Sequence, residues 1–385
     1  MRFVTCGLCA WVVFLSTSCT DPHLPVAKRG VIPDTDDTVH GLTPAPDRPP
    51  GDPSPTPVAS SSAESDVPAA PEAAVRAAVV KAHAVLWKGV EGHAEHRSCF
   101  SCHNHGTSML AFTTARGRGF VVPEQDVADL TVFISDYLAA NRDKFLRGQG
   151  PGPLSLGGAT DTTGWALFAL ELGGKTPDEV TAAAVEYTLR RDQDRDHWGT
   201  WGPARPPAED SIFMATALAI RGLQVFGRPE HAERIAKRVE AARGWLIKTP
   251  ARHTEDRVYR VLGLKAAGAP AEDVRRAGTE LAQTQRADGG WAQTDAMASD
   301  AYATGSALTA LQMWADMPPT DPVYRRGVAY LLRTQLADGS WRVRSHSVPF
   351  QPYYESGFPH GKDQFISCAA TGWAATALAL ACPAR

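Results

Sequence analysis

Short stretches of small apolar residues recur along this chain, and each opens on an aspartate: Asp161, Asp210, Asp256, Asp300 and Asp363. Successive starts lie 44 to 63 residues apart. A sixth stretch of the same character covers residues 103–115. Each is preceded by a charged segment with helical periodicity, at about residues 73–88, 124–146, 177–193, 229–248, 270–286 and 321–336. Self-similarity at this period marks a repeat architecture in which no unit buries its own apolar face, so neighbours must stack. Caps agree with the assignment, because Thr176-Pro177-Asp178 and Thr320-Asp321-Pro322 place a capping residue, a proline and an acid at helix starts. Six helical hairpins, an outer charged helix followed by an inner apolar one, predict an all-α ring, an (α/α)6 toroid, over residues 73–385. That single repeat array replaces the two or three domains that 385 residues would otherwise suggest.

The preceding residues differ in kind. Arg2 and the apolar run at residues 3–15 read as an export signal, too short to remain as a spanning helix. Ser16-Thr17-Ser18-Cys19 resembles a bacterial lipoprotein cleavage site, although serine stands where leucine is preferred three residues before the cysteine. Residues 1–19 are thus expected to be a signal peptide with Cys19 as the lipidation site, plain secretion being the alternative. Residues 20–72, rich in Pro, Ser, Ala and Asp, read as a disordered tether. The chain is expected to be exported, held in the periplasm or on a membrane only through a lipid anchor. No later stretch reads as a membrane span, and a net charge of -3 with intermixed signs excludes a nucleic-acid surface.

The motif with most apparent chemistry is Cys99-x-x-Cys102-His103, the spacing that attaches a c-type haem with the histidine as iron ligand. The same residues also suit a Cys-x-x-Cys disulfide or a zinc site that adds His105. Haem c is the leading expectation, with Cys99 and Cys102 as attachment points and His103 on the iron. Met109 lies on the motif's own helix and is a poor second ligand, which leaves His93, His96 or His105. Cys368 and Cys382 fall about 21 Å apart along one helix, too far for a disulfide.

Two further segments, residues 281–291 and 331–341, share a pattern that ends in Gln285-x-x-Asp288-Gly-Gly-Trp291 and Gln335-x-x-Asp338-Gly-Ser-Trp341. Residues 193–201 give a degenerate third copy. These resemble the Gln-Trp repeats of squalene-hopene and related terpenoid cyclases, and the Asp-Gly-Gly-Trp turns of protein prenyltransferase β subunits. With residues 351–366 and the Cys-x-x-Cys-His motif, the chain resembles a bacterial exported squalene-cyclase-like group. The resemblance implies the α/α toroid and an apolar, prenyl-type ligand.

Departures from that pattern weaken the enzymatic expectation. The cyclases' Asp-x-Asp-Asp-Thr box, whose central acid protonates the substrate, is matched only by residues 34–38, inside the tether. Prenyltransferases need an Asp, Cys and His zinc site, whereas Asp300 is followed by Ala301 and Tyr302, and Ser367 stands where the histidine would be. The candidate catalytic carboxylates are therefore Asp210, Asp300 and Asp363 at the inner-helix mouth, with Tyr302, Tyr354, Phe358 and Trp373 lining a ligand cavity. Converging helix N-termini are expected to lower those carboxyl pKa values. Three functions stay open: a haem-carrying redox or sensing protein with a redox partner and an apolar ligand, a terpenoid cyclase or prenyl-lipid enzyme using mouth carboxylates, and a non-catalytic scaffold with a Cys-x-x-Cys disulfide.

Overall fold

The computed structural model describes residues 68–151, 160–200, 205–347 and 353–384. Cys19, the Asp34 to Thr38 box and the tether up to residue 67 lie outside the described residues, and the tether's last residue, Glu72, already belongs to α1. Among these residues the only regular structure is helical: α1 (Glu72–His96), α2 (Thr107–Arg116), α3 (Glu124–Leu146), α4 (Thr160–Leu172), α5 (Glu179–Arg190), α6 (Ile212–Phe226), α7 (Ala232–Lys248), α8 (Thr254–Ala266), α9 (Ala271–Ala282), α10 (Ala301–Met313), α11 (Pro322–Thr334) and α12 (Gln364–Ala381). The expected hairpins are all present, with α1 running further than its charge pattern indicated.

The even-numbered helices form the inner ring. Each packs on the next, from α2 through α4, α6, α8 and α10 to α12, and α12 packs back on α2. Each odd-numbered helix lies outside, against the inner helices that flank it in sequence, and α1 sits against both α12 and α2. Composition accounts for this division. Outer α7 buries only Val239, Ala242 and Leu246, a single stripe, so its other faces can carry charge. Inner α12 is buried along nearly its whole length. The span Gly361–Ala381 is apolar and long enough to cross a membrane, but 89% of it is buried, as suits a core helix. Glycine permits the tightest crossings: a Cβ on Gly305 would lie 2.6 Å from the Ala374 nitrogen, and one on Gly372 would lie 2.7 Å from Cβ of Thr107.

The junction turns repeat one hydrogen-bond scheme. Trp291 Nε1 donates to the Leu281 carbonyl at 3.0 Å, and its main-chain N–H donates to Thr304 Oγ1 at 2.9 Å. Trp341 does the same to Leu331 and Thr371, and Trp198 to Thr188 and Thr216. Each indole thus caps an outer-helix carbonyl and fixes the start of the following inner helix. The glutamine of each full copy reaches the next outer helix: Gln285 Nε2 donates to the Val323 carbonyl, and Gln335 Nε2 to that of Ala78 on α1. In the degenerate copy Arg238 performs this work, donating to the carbonyls of Arg191 and Asp192 while stacking over Trp198.

Candidate functional site

The inner helices begin at one mouth of the ring, and the aspartates that open them take different positions there. Asp300 is the N-cap of α10, its Oδ1 accepting from Ala303 N at 2.9 Å. Asp210 is exposed, one residue before Ser211, whose hydroxyl caps α6. Asp256 lies in the first turn of α8 and accepts from Ser211 Oγ at 2.7 Å, which ties two adjacent inner helices together. Asp363 precedes α12 in a short 3-10 turn, paired with Arg342 and accepting from Ser345 N. Burial pushes its carboxyl up, but the Ser345 hydrogen bond and Arg342 outweigh this and hold it below its usual range.

A cavity of about 180 Å³ opens between the starts of α6, α8 and α10. Asp210 and Ser211 form one wall, His253, Glu255 and Asp256 another, and Gln293, Met297 and His346 close it. At its inner side Glu255 is only 4% exposed, and Tyr302 Oη donates to its Oε1 at 3.0 Å. Burial keeps this carboxyl protonated, raising its pKa to about 8, and the neighbouring Asp256 and Asp300 charges act in the same direction against the Tyr302 hydrogen bond. Asp300 is raised to about 6 by burial, although Ala303 N–H and the Gln293 amide both favour its charged form. The expected lowering by helix N-termini is therefore reversed for Asp300, because loss of water outweighs one capping bond. Glu255, one residue before Asp256, was not among the sequence candidates. The signal available was an adjacent acid pair, Glu255-Asp256, at an inner-helix start.

The aromatic candidates separate into three places. Tyr302 holds Glu255. Trp373 projects to the ring axis, where its ring meets that of Trp165 at 6.0 Å between centroids, and Trp165 meets Tyr259 at 6.4 Å. Tyr354 and Phe358 lie away from Glu255: Tyr354 shares a hydrogen bond with His93 Nδ1 at 2.6 Å, stacks on His96 and lies under Arg97, and Phe358 packs beside Gly89 of α1.

The Cys-x-x-Cys-His segment forms a π-helical turn, Cys102–Gly106, that leads into α2 and is packed among α1, α2, α4 and α12. His103 is 8% exposed, with Nδ1 3.3 Å from Cys102 Sγ. Burial, with Arg205 and His93 nearby, lowers its pKa to about 3, whereas burial pushes the Cys102 thiol up. The result is a neutral thiol–imidazole pair, not an activated nucleophile. His93 is committed to the Cys99 carbonyl and Tyr354, and His105 Nδ1 accepts from Ser101 N. Met109 is fully buried. No group of three or more His, Cys, Asp or Glu among the described residues could hold a metal ion.

Comparison with known proteins agrees with this architecture. No protein-family profile matches the chain. A curated relative, drimenyl diphosphate synthase from Streptomyces showdoensis, is 28% identical over 264 residues, which are 54% of this chain and 49% of that protein. The chain thus spans about half the length of the curated relative it matches. Among solved structures, the type II terpene cyclase MstE from Scytonema superposes with a TM-score of 0.51 at 16% identity, over 82% of this chain and 100% of that one. Its complex with merosterolic acid A gives 0.53 at 15% identity, and a protein from Actinoplanes gives 0.50 at 18% over 78% of this chain and 99% of that one. The chain has the α/α-toroid fold of these terpene cyclases. These likenesses establish the fold of the toroid and correct one expectation. Haem c at Cys99, Cys102 and His103 is overturned, because no group of three or more His, Cys, Asp or Glu among the described residues could hold a metal ion and the similar proteins are terpene cyclases and a terpene synthase.

Proposed function

We propose that the toroid binds an apolar, prenyl-type ligand at the α6–α8–α10 mouth and that Glu255 donates a proton to it. The observation that carries this reading is the protonated, desolvated state of Glu255 beside a cavity, fixed by the Tyr302 hydroxyl. Because Tyr302 donates to Oε1, the carboxyl's own O–H is free to face a ligand double bond. Transfer forms a C–H bond, leaves positive charge on the neighbouring carbon and leaves Glu255 as a carboxylate. Tyr302 then stabilises that carboxylate in place, and Asp300 sets the local field. The cavity is smaller than the roughly 300–1,000 Å³ of whole-ligand sites, so it admits one end of a chain.

Support for the ligand class comes from the relatives: one is a drimenyl diphosphate synthase, and MstE is known in complex with geranylgeranyl dihydroxybenzoate. The N-terminal apolar run supports an exported location with lipid at Cys19, which fractionation and mass spectrometry of the mature N-terminus would test. Incubation with squalene and with prenyl diphosphates, followed by product analysis, tests the chemistry. Glu255→Gln should reduce turnover by about 10²–10⁴-fold. Full turnover in that variant would remove Glu255 from the reaction.

A further inference from the structure

Behind Glu255 lie three buried polar groups that no described residue satisfies. Trp165 Nε1, Trp373 Nε1 and the Tyr259 hydroxyl are buried and have no hydrogen-bond partner among the described residues. They are carried by rings that meet at the axis, with Trp165 in edge contact with both Trp373 and Tyr259. Each ring is at most 2% exposed, so bulk solvent does not reach these donors. Tyr259 lies one helical turn after Glu255 on α8, inward of that helix's start at the mouth. Buried donors are nearly always satisfied, and three orphans carried by rings in contact call for an acceptor.

We infer that the ring axis is a subsite for a neutral hydrogen-bond-acceptor oxygen, so the ligand is an oxygenated prenyl chain, such as a terpene alcohol or aldehyde, and not a hydrocarbon. This rests on the prenyl-ligand reading above and narrows its substrate class. All three orphans can donate, two of them can do nothing else, and none carries charge. Nothing in the trio neutralises an anion, and the surroundings already suppress charge, as the protonated Glu255 attests. A hydrocarbon in the same place would leave the three donors unsatisfied, so its binding is penalised relative to a chain of equal length with one oxygen.

Binding of farnesol and of farnesene, followed by tryptophan fluorescence or native mass spectrometry, separates the two. The full chain should prefer farnesol by about tenfold or more. Tyr259→Phe should lose most of that preference while leaving farnesene affinity unchanged. If Tyr259→Phe does not fold, Trp373→Phe serves for the same ratio. Equal affinities, or a preference that survives removal of the donors, overturn the acceptor subsite. Failure of both compounds to bind overturns it as well. Loss of all binding would also remove the prenyl-ligand reading, whereas equal affinities leave Glu255 untouched, because it is read by turnover: Glu255→Gln should lose the reaction.

Discussion

Trp291 and Trp341 on the junction turns are as deeply buried as Trp165 and Trp373 on the axis. The indoles of the first pair donate to main-chain carbonyls at 3.0 and 2.9 Å, whereas those of the second have no acceptor among the described residues. The same side chain therefore has two uses. At the junctions each ring closes a helix end and every polar atom is matched, which is how a fixed frame is built. On the axis the rings are equally enclosed but polar capacity is left over, a state a protein tolerates where a ligand completes it. Burial alone does not distinguish frame from site; the fate of the N–H does.

The largest effect should come from breaking the frame. Trp341→Ala removes a fully buried ring and the cap on Leu331, and should cost about 3–5 kcal/mol in chemical denaturation. Nearly as large is the pH response of the enclosed histidines. His93 and His103 have folded pKa values lowered to about 4 and about 3 by burial, against an ordinary 6.5, and His105 is lowered in the same way. Between these limits the unfolded chain binds more protons than the folded one. Their contribution is therefore complete above about pH 6.5 and is lost as pH falls towards 4 and 3, on the order of 1.4 kcal/mol per pH unit for each histidine. Glu255 runs the other way, favouring the fold below 4.5 and losing that advantage as pH rises to about 8. His83 is lowered to about 4 as well, while Asp300, raised to about 6, and Glu209, raised by burial, act with Glu255; with four histidines against three carboxyls, denaturation midpoints measured from pH 7 to 4.5 should fall.

A smaller loss should follow Gly339→Ala. Gly339 has φ +91°, and an added Cβ would lie 2.5 Å from the Lys81 carbonyl oxygen, so about 2 kcal/mol is expected in the same assay. The smallest effect sharpens the contrast most. Trp341→Phe and Trp373→Phe remove the same atoms, but the first loses a made hydrogen bond to the Leu331 carbonyl and the second only an unsatisfied donor, so the first should be the more destabilising by about 1 kcal/mol. Equal costs would erase the distinction between frame and axis.

The fold was readable because its determinants are local and repeated. Caps such as Asp178 and Asp321, the turns at Gly289 and Gly339, and the alternation of charged and small apolar helices each act within a few residues. Ring closure followed from their number. The site was less readable because its determinants are tertiary. Glu255 looks like any acid in a first turn until burial and Tyr302 mark it, and the tether box at residues 34–38 was the closer match to a cyclase motif. Cys99, Cys102 and His103 satisfy a five-residue spacing, and only the packing of their turn decides what that spacing can bind. Asp300 illustrates the same limit, since its cap was legible and its desolvation was not.

The Gln335 amide that grips the Ala78 carbonyl has a bearing on how this molecule comes apart. In an open solenoid the terminal repeats have one neighbour each and can fray independently of the rest. Here the last junction fastens onto the first helix, so no hairpin is terminal and none can leave without exposing two faces at once. Melting should be all-or-none, with the seam between α12 and α1 as firmly held as any other joint.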